Sequence, residues 1–255
     1  MYHDYLKLFF IHVSDITLFI LRILKEIVLP PYEVSEIMKQ CYVVGYKSLS
    51  LIATTGFIMG LVLTIQSRPT LVEFGAESWL PAMVGVSIIR EIGPVITALI
   101  SAGKVGSGIG AELASMKVTE QIDAMEVSGI NPFKYLIATR VIATTLMIPL
   151  LVIFSDAVGI FGSYVGVNIK GDVNIRLFLI QVFERVDFSD IFPALIKSLF
   201  FGFTIGTVAC YKGYYSTKGT EGVGISANAA VVISSLMIFI LDMLAVQITD
   251  LIIGP

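Results

Sequence analysis

Charged side chains are scarce in this chain. Only 15% of its 255 residues are Asp, Glu, Lys or Arg, 56% are hydrophobic, and the mean hydropathy is +0.87. A water-soluble domain of this length needs far more polar surface, so the composition predicts an integral membrane protein. The formal net charge of -3 gives no electrostatic reason to expect nucleic acid as a partner.

Cysteine is rare as well, and a leader sequence is not evident. The two cysteines, Cys41 and Cys210, are far apart and fit neither a disulfide framework nor a metal-ligand spacing. We interpret both as small apolar fillers and predict no metal site. No cleaved secretory signal is predicted, because Asp4 stands where a positively charged region should lie.

Long apolar runs, in contrast, occupy much of the chain. A helix needs about 20 mostly apolar residues to cross a membrane. Five runs qualify, at about 48–66, 81–103, 141–167, 189–211 and 223–250. All five are predicted to be helices, since an isolated strand in lipid leaves its backbone groups unsatisfied. The predicted fold class is therefore an all-α integral membrane protein, with residues 1–255 forming a single membrane domain and 48–255 its five-span core.

Residues 1–47 are predicted to lie at the membrane surface. Along 4–29, polar and apolar side chains occupy opposite halves of a helical wheel, which is typical of a helix in the membrane plane. A helix buried in a soluble core is the alternative. Pro30 and Pro31 end this helix, and a short polar helix at about 33–46 leads into the first span. The polar half holds Asp4, Lys7, His12, Asp15, Arg22, Lys25 and Glu26, and the apolar half Phe9, Val13, Ile16, Ile20, Leu24 and Ile27.

The distribution of Lys and Arg predicts a cytoplasmic N-terminus. Positive residues concentrate in the cytoplasmic segments of membrane proteins. With the N-terminus inside, the inner segments hold Lys7, Arg22, Lys25, Lys39, Lys47, Lys104, Lys117, Lys134, Arg140, Lys212 and Lys218. The outer segments then hold only Arg68, Lys170, Arg176 and Arg185. The C-terminus is accordingly expected outside.

The stretch "AGKVGSGIGAELASM", 102–116, contains a Gly-Lys pair that could suggest a phosphate-binding loop. That loop requires glycine five residues before the pair's glycine and Ser or Thr after the lysine. Here Ala98 and Val105 occupy those positions, so no nucleotide site is predicted. With no nucleophile–base pattern elsewhere, the chain is not expected to be an enzyme, and no cofactor is expected in it.

Small residues at every fourth position explain this stretch better. Such a line lets helix backbones approach closely in lipid. The line consists of Ala98, Ala102, Gly106, Gly110 and Ala114. We predict that Gly106 and Gly110 form a helix-packing seam, with a similar seam at Gly56 and Gly60 of the first span.

Five ionisable residues lie within the predicted spans, at nearly one depth. A charge at the bilayer centre costs at least about 2.5 kcal/mol, so these groups should face inward and pair. They are Arg90, Glu91, Asp156, Lys197 and Asp242. Two interpretations stay open, a salt-bridge layer that fixes helix packing and a polar path that meets a lipid headgroup. Glu112 lies closer to the inner end and is expected to support the loop that follows it.

The first span offers apolar walls for lipid chains. Its lipid-cavity candidates are Leu61, Val62, Ile65 and Gln66. Packing against neighbouring helices explains these residues equally well.

The loop between the second and third spans is predicted to contain a short acidic helix, at about 117–131. It is either a solvated connector or a docking element. Its "DAMEVSG" resembles the EAA loop of ABC-transporter permeases, the coupling helix that sits in a groove of the ATPase subunit. That resemblance implies ATPase-coupling roles for Glu120, Gln121, Asp123, Ala124, Glu126 and Gly129.

A more specific resemblance extends over nearly the whole chain. "REIGPVITALISAGKVGSGIGAELASMKVTEQIDAMEVSGINPFKYLIATRV", 90–141, and "KGYYSTKGTEGVGISANAAVVISS", 212–235, resemble the two signature blocks of MlaE-type permeases of lipid-transporting ABC systems. The resemblance implies a homodimeric permease in the inner membrane of a bacterium with two membranes, carrying phospholipid or a related lipid. Its implied partners are a cytoplasmic ATPase that binds ATP and Mg, a periplasmic MCE-domain protein and in some systems a STAS-domain protein.

A different class of protein is the alternative. A stand-alone secondary transporter or ion channel could use Arg90, Glu91, Lys197 and Asp242 as a proton relay. The lack of an internal repeat disfavours it, because many secondary carriers are built from repeats.

Overall fold

The computed structural model describes residues 2–169, 171–217 and 219–253, and the side chains of all these except 2–10, 12 and 253. Several residues used in the sequence predictions therefore lie outside the described residues or side chains. These are the wheel positions Asp4, Lys7, Phe9 and His12, and the loop cations Lys170 and Lys218.

Two helices precede the long apolar helix of the first span. They are α1 (Tyr2–Val28) and α2 (Val34–Val44). α1 buries Phe19 and Ile23, whereas Val13, Ile16 and Leu24 of its apolar half remain exposed. Because Phe19 stacks edge-on against Phe133 at 5.0 Å, α1 is held along the start of the third span.

Five helical segments are long and apolar enough to cross a membrane, which confirms the predicted all-α class and its five spans. They are Val34–Glu73, Glu77–Val118, Phe133–Asn168, Phe188–Tyr214 and Gly219–Ile252. The described residues contain no strand. Each segment is longer than its apolar run, because the helices continue into polar residues at their ends.

The spans are divided into regular helices as follows. The first contains α3 (Leu49–Glu73); the second contains α4 (Leu80–Ser87), α5 (Gly93–Ser101) and α6 (Ser107–Val118). After a short connecting helix, α7 (Gln121–Val127), the third contains α8 (Thr139–Asn168). A further short helix, α9 (Ile175–Phe183), precedes α10 (Phe188–Tyr214) and α11 (Gly219–Ile253), the fourth and fifth spans. We call the two ends of this bundle the α7 end and the α9 end.

The second span is not a regular helix. π-helical turns at Ile88–Ile92 and Ala102–Gly106 separate α4, α5 and α6. The first π-turn directly precedes Pro94, which cannot donate a backbone hydrogen bond to the carbonyl four residues earlier, and this accounts for the irregular turn. That turn carries both Arg90 and Glu91, so the irregularity orients the two charged side chains.

Glycines bring the helices into close contact. A Cβ at Gly60 would overlap the backbone of Gly159, and one at Gly56 would lie 3.0 Å from the carbonyl oxygen of Ser155. α3 and α8 are therefore in backbone contact.

The predicted seam in the second span has a different partner. A Cβ at Gly110 would lie 3.2 Å from that of Ala230 on α11, whereas one at Gly106 would meet only Ile205 of α10, at an ordinary 3.6 Å. Gly110 also lies against Gly213 of α10, since a Cβ at Gly213 would lie 2.8 Å from the Gly110 carbonyl oxygen. The second span thus packs between α10 and α11, most closely at Gly110.

Candidate functional site

Three of the five ionisable residues in the spans form one ion cluster. The Lys197 ammonium on α10 lies 2.8 Å from a carboxylate oxygen of Glu91 and 3.0 Å from one of Asp242 on α11. Lys197 is buried, whereas the Glu91 side chain is 44% exposed. The cluster therefore joins three spans through one buried cation and leaves part of one acid accessible.

Arg90 has a different partner. Its guanidinium contacts the carboxylate of Asp190, a buried residue in the first turn of α10. The other Asp190 oxygen accepts a hydrogen bond from the backbone N–H of Asp187, at 3.0 Å. Sequence reasoning missed Asp190 because it stands at the edge of the fourth apolar run. A sequence signal was nevertheless available. Asp187 and Asp190 have the spacing of a helix N-cap and the third residue of that helix, whose side chains accept hydrogen bonds from the free N–H groups at the helix start.

Asp156 lies apart from these contacts. It packs so closely on Gly93 that a Cβ there would overlap its carboxylate. Its Oδ1 atom is buried, with no hydrogen-bond partner among the described residues. Thus the five charges share a region of the bundle, but only Glu91, Lys197 and Asp242 contact each other directly.

Two adjoining cavities open beside the cluster, one polar and one apolar. The polar cavity, of about 280 Å³, is lined by Arg90, Glu91, Asp190, Lys197 and Asp250, among others. The apolar cavity, of about 440 Å³, is lined by Phe192, Ile196, Phe200, Leu241, Leu244 and Ile248, among others. Both include Pro193, Lys197, Ala245 and Thr249 in their walls. Together they form an amphipathic recess between α10 and α11, near the α9 end.

The four lipid-cavity candidates of the first span are elsewhere. Leu61, Val62, Ile65 and Gln66 line neither of these two cavities. Ile65 is 45% exposed on the outside of α3. Within a single copy of the chain, the recess is formed by the second, fourth and fifth spans instead.

The model of the MlaE permease family matches residues 37–248, a stretch that contains every residue of the ion cluster and α7. The chain belongs to the MlaE permease family.

Its relatives share most of their length with it. The chain is 40% identical to a probable ABC transporter permease protein of Rickettsia typhi, over 92% of this chain and 91% of the relative. It is 38% identical to a probable ABC transporter permease protein of Synechocystis, over 80% and 77%. It is 37% identical to the intermembrane phospholipid transport system permease protein MlaE of Haemophilus influenzae, over 83% and 82%. This MlaE-family chain is therefore an ABC-transporter permease subunit, which implies an ATPase partner.

In this MlaE-family chain, the helix between the second and third spans is shorter than the predicted 117–131. α7 begins after Glu120, whose φ of 60° lies in the left-handed region at a cost of about 1 kcal/mol. Ile122 is fully buried, and the Lys117 ammonium lies 2.7 Å from the Asp123 carboxylate. α7 is thus fixed to the bundle on one side.

Apart from Ile122, α7 is largely exposed. All six residues with an implied coupling role are exposed: Glu120, Gln121, Asp123, Ala124, Glu126 and Gly129. Two apolar side chains beside these six are also exposed, Val127 (91%) and Ile130 (46%). Sequence reasoning did not include either of them among the coupling residues. Large exposed apolar groups beside acidic ones are typical of an interaction surface.

A buried arginine connects α6 to the third span. Arg140, 2% exposed, contacts Glu112 of α6 at 2.9 Å and donates to the Leu136 carbonyl oxygen at 2.8 Å. From the sequence, Arg140 is only one of the inner positive charges, and Glu112 is expected to support the loop. In the structure Glu112 pairs with Arg140 and holds α6 to α8, nearly two helical turns before α6 ends.

Proposed function

We propose that this permease moves phospholipid or a closely related lipid between the inner and outer membranes of a bacterium. The amphipathic recess carries this proposal. A phospholipid has a charged headgroup joined to apolar chains, and here a cavity with Arg90 and Lys197 shares a wall with one lined by Phe192, Leu244 and Ile248. The name of the Haemophilus relative, a phospholipid transport permease, supports the same lipid class.

The ion cluster would do more than fix helix packing. A lipid phosphate entering the polar cavity competes with Glu91 and Asp242 for the Lys197 ammonium, and with Asp190 for Arg90. Because these ion pairs join different spans, exchanging a carboxylate for a phosphate changes how those spans are held together. Binding and release of the headgroup would thereby be linked to the arrangement of the helices.

ATP would act through α7. We infer that the exposed side of α7, with Glu126 and Val127, docks on the ATPase, which binds ATP and Mg. Movement of α7 would pass to α6 and then along the rest of the second span to the recess. α6 is also held to α8 by the Glu112–Arg140 pair. An acidic and apolar docking surface of this kind supports a coupling role over that of a plain connector.

The wider assembly follows the family resemblance. We propose a homodimer in the bacterial inner membrane with a cytoplasmic N-terminus, so that the α7 end faces the cytoplasmic ATPase. A periplasmic MCE-domain protein would meet the α9 end, where the recess opens, and a STAS-domain protein could join the ATPase. The excess of Lys and Arg in the α7-side segments supports this orientation.

The test is transport by the reconstituted complex. The permease with its ATPase and MCE-domain partner is placed in liposomes, and transfer of a labelled phospholipid to acceptor vesicles is measured. We expect transfer with ATP and none with a non-hydrolysable analogue. Ala245→Phe places a ring at the wall shared by both cavities and should reduce transfer at least about fivefold, because the ring takes up space that the bound lipid would occupy.

The matched control is Met243→Phe, since Met243 is exposed on the same helix and lines neither cavity. Equal transfer by both variants would contradict the recess as the lipid site. Transfer by the permease alone in response to a proton gradient would support the secondary transporter and overturn the ATP-driven function.

A further inference from the structure

A third cavity lies at the α7 end, away from the recess. It has a volume of about 430 Å³ and is formed by α1, the start of the third span and the end of α10. Tyr211 lies 14 residues after Lys197 on α10, which places it roughly 21 Å away along the helix. This cavity is therefore separate from the ion cluster.

Aromatic rings form its walls. Phe19 is the centre of the group, with ring centroids 5.0 Å from Phe133, 5.2 Å from Tyr211 and 5.8 Å from Tyr215. Aromatic faces attract cations such as an alkylammonium group. Tyrosines of this kind are also enriched at the membrane–water boundary, where lipid headgroups lie.

Two opposite charges stand at the cavity, both on α1. The guanidinium carbon of Arg22 lies 4.2 Å from the centre of the Phe133 ring. Asp15 lines the same cavity two helical turns earlier, so the two Cα atoms are roughly 10 Å apart. Among the described residues neither side chain forms an ion pair, which leaves a cation and an anion available to a ligand.

The surroundings are those of a membrane surface. α1 is amphipathic and is not one of the five segments suited to crossing a membrane, while the end of α10 marks the end of a span. Leu18 lines the cavity, and Leu18 and Leu21 are 61% and 56% exposed. A molecule in the cavity could thus have its charged part on Arg22 and Asp15 and its apolar chains along α1.

We propose that this cavity binds the headgroup of a phosphatidylethanolamine-type lipid from the adjacent leaflet. Arg22 holds the phosphate through charge-assisted hydrogen bonds, and Asp15 holds the ammonium within the aromatic walls. A two-carbon linker joins phosphate and ammonium in this headgroup, so both groups can be bound by side chains two helical turns apart that line one cavity. This site goes beyond the transport function and does not depend on it.

The bound headgroup would hold α1 in place beside the loop that follows α7. The last turns of α1 already contact that loop, since Asn131 donates to Glu26 at 3.3 Å and Lys134 donates to the Leu29 carbonyl oxygen at 2.6 Å. Lipid bound at Arg22 adds an attachment one turn earlier on the same helix.

Native mass spectrometry of the purified permease–ATPase complex tests the site. The complex is titrated with phosphatidylethanolamine and, separately, with phosphatidylglycerol, which has the phosphate but no ammonium. Arg22→Gln should weaken binding of both lipids about tenfold, the effect of losing one hydrogen bond to a charged group. Asp15→Asn should weaken binding of phosphatidylethanolamine about fivefold and leave phosphatidylglycerol unchanged.

Lys25→Gln is the control, because Lys25 is on the same helix, exposed and outside the cavity. Arg22→Lys retains the charge but not the planar guanidinium, so its affinity should fall between those of the native protein and Arg22→Gln, which guards against a folding defect in the glutamine variant. If Arg22→Gln behaves as Lys25→Gln does, or if Asp15→Asn weakens both lipids equally, the proposal is wrong. Displacement of the lipid by millimolar inorganic phosphate would identify a soluble anion instead and would also overturn it.

Discussion

At the scale of single residues, Lys197 has the most consequential position. It is the one cation, among the described residues, in ion-pair contact with Glu91 and Asp242. Removing one partner from a buried ion pair leaves an uncompensated charge, which costs far more than the pair itself contributes. Here two carboxylates would be left facing each other between three spans.

We predict that Lys197→Met destabilises the permease by about 3 kcal/mol. This is the lower end of the range for breaking a buried pair, because the Glu91 side chain is 44% exposed and water offsets part of the loss. Thermal melting in one detergent measures the change. Lys212→Met is the control, since Lys212 is also on α10 but forms no ion pair among the described residues, and its ammonium lies 5.6 Å from the centre of the Tyr211 ring. Equal melting temperatures for the two variants would contradict the prediction.

Exchanging the charges separates the two roles of this cluster. Lys197→Asp combined with Asp242→Lys keeps an ion pair between α10 and α11, so we expect melting close to native. Transfer of labelled phospholipid should remain impaired, because the cation no longer faces the polar cavity in the same place. Full recovery of transfer would mean that the cluster serves helix packing alone.

At the scale of elements, glycine sets how close the helices come. Gly60 on α3 and Gly162 on α8 each face the backbone of the other helix, at Gly159 and Phe57 respectively. Backbone atoms cannot move aside as a flexible side chain can, so any Cβ there forces the helices apart. Gly108 on α6, by contrast, has no atom within 4 Å of the position its Cβ would take.

We predict opposite effects of two alanine substitutions. Gly60→Ala should destabilise the protein by about 3 kcal/mol, at the upper end for overpacking. Gly108→Ala should stabilise it by about 0.5 kcal/mol, because alanine favours an α-helix over glycine. Melting temperatures of the two variants provide the measurement, and a Gly60→Ala variant that melts no lower than Gly108→Ala would refute the seam between α3 and α8.

The short helix α7 makes a prediction about association. Val127 is 91% exposed on α7, and an apolar anchor of this kind contributes most when its partner excludes water. Val127→Asp should weaken binding of the ATPase about tenfold or more, as measured by titrating the permease with labelled ATPase. Val34→Asp is the control, since Val34 is also exposed and begins α2, where the helix dipole tolerates an acid. Unchanged affinity in both variants would argue against docking on α7.

At the scale of the whole molecule, α7 and the recess lie at opposite ends of the bundle. The continuous path between them is the second span, which packs against both α10 and α11 at Gly110. Arg140 adds a rigid connection from α6 to α8, because its guanidinium contacts Glu112 and the Leu136 carbonyl oxygen. A force applied to α7 therefore reaches several spans together.

We predict that Arg140→Met separates ATP hydrolysis from lipid transfer. The ATPase should still bind, because the exposed side of α7 is unaltered, but transfer per ATP hydrolysed should fall at least about fivefold. Glu112→Gln, which retains a hydrogen-bond acceptor for the guanidinium, should lose less, since a neutral hydrogen bond is roughly half as strong as a charged one. The measurement is the ratio of lipid transferred to ATP hydrolysed in liposomes. A native ratio in Arg140→Met would rule out this connection.

Periodicity and composition were enough to predict the five spans and the all-α class. An apolar run of about 20 residues has few alternatives in lipid, and the spans are therefore local properties of the chain. The ionisable residues could be located for a similar reason, because a charged residue inside an apolar run can be recognised from the linear sequence alone.

Their partners were not visible in this way. The shared depth of Arg90, Glu91, Lys197 and Asp242 suggested one layer, yet Arg90 contacts Asp190 instead. A π-helical turn before Pro94 rotates the residues that precede it, and no regular helical wheel includes that rotation. The glycine line likewise predicted close packing but not that Gly110, rather than Gly106, makes the closest contacts.

By itself, then, the sequence determined that this chain has five helices long and apolar enough to cross a membrane, with an amphipathic helix before them and a short acidic helix between the second and the third. Those features depend on the transfer of apolar residues into lipid and on helical periodicity, which act locally. Only the tertiary structure decided where the recess lies, which helices line it and which charges pair. Those contacts join residues about 100 positions apart, such as Arg90 and Asp190, and depend on how closely glycines allow whole helices to approach.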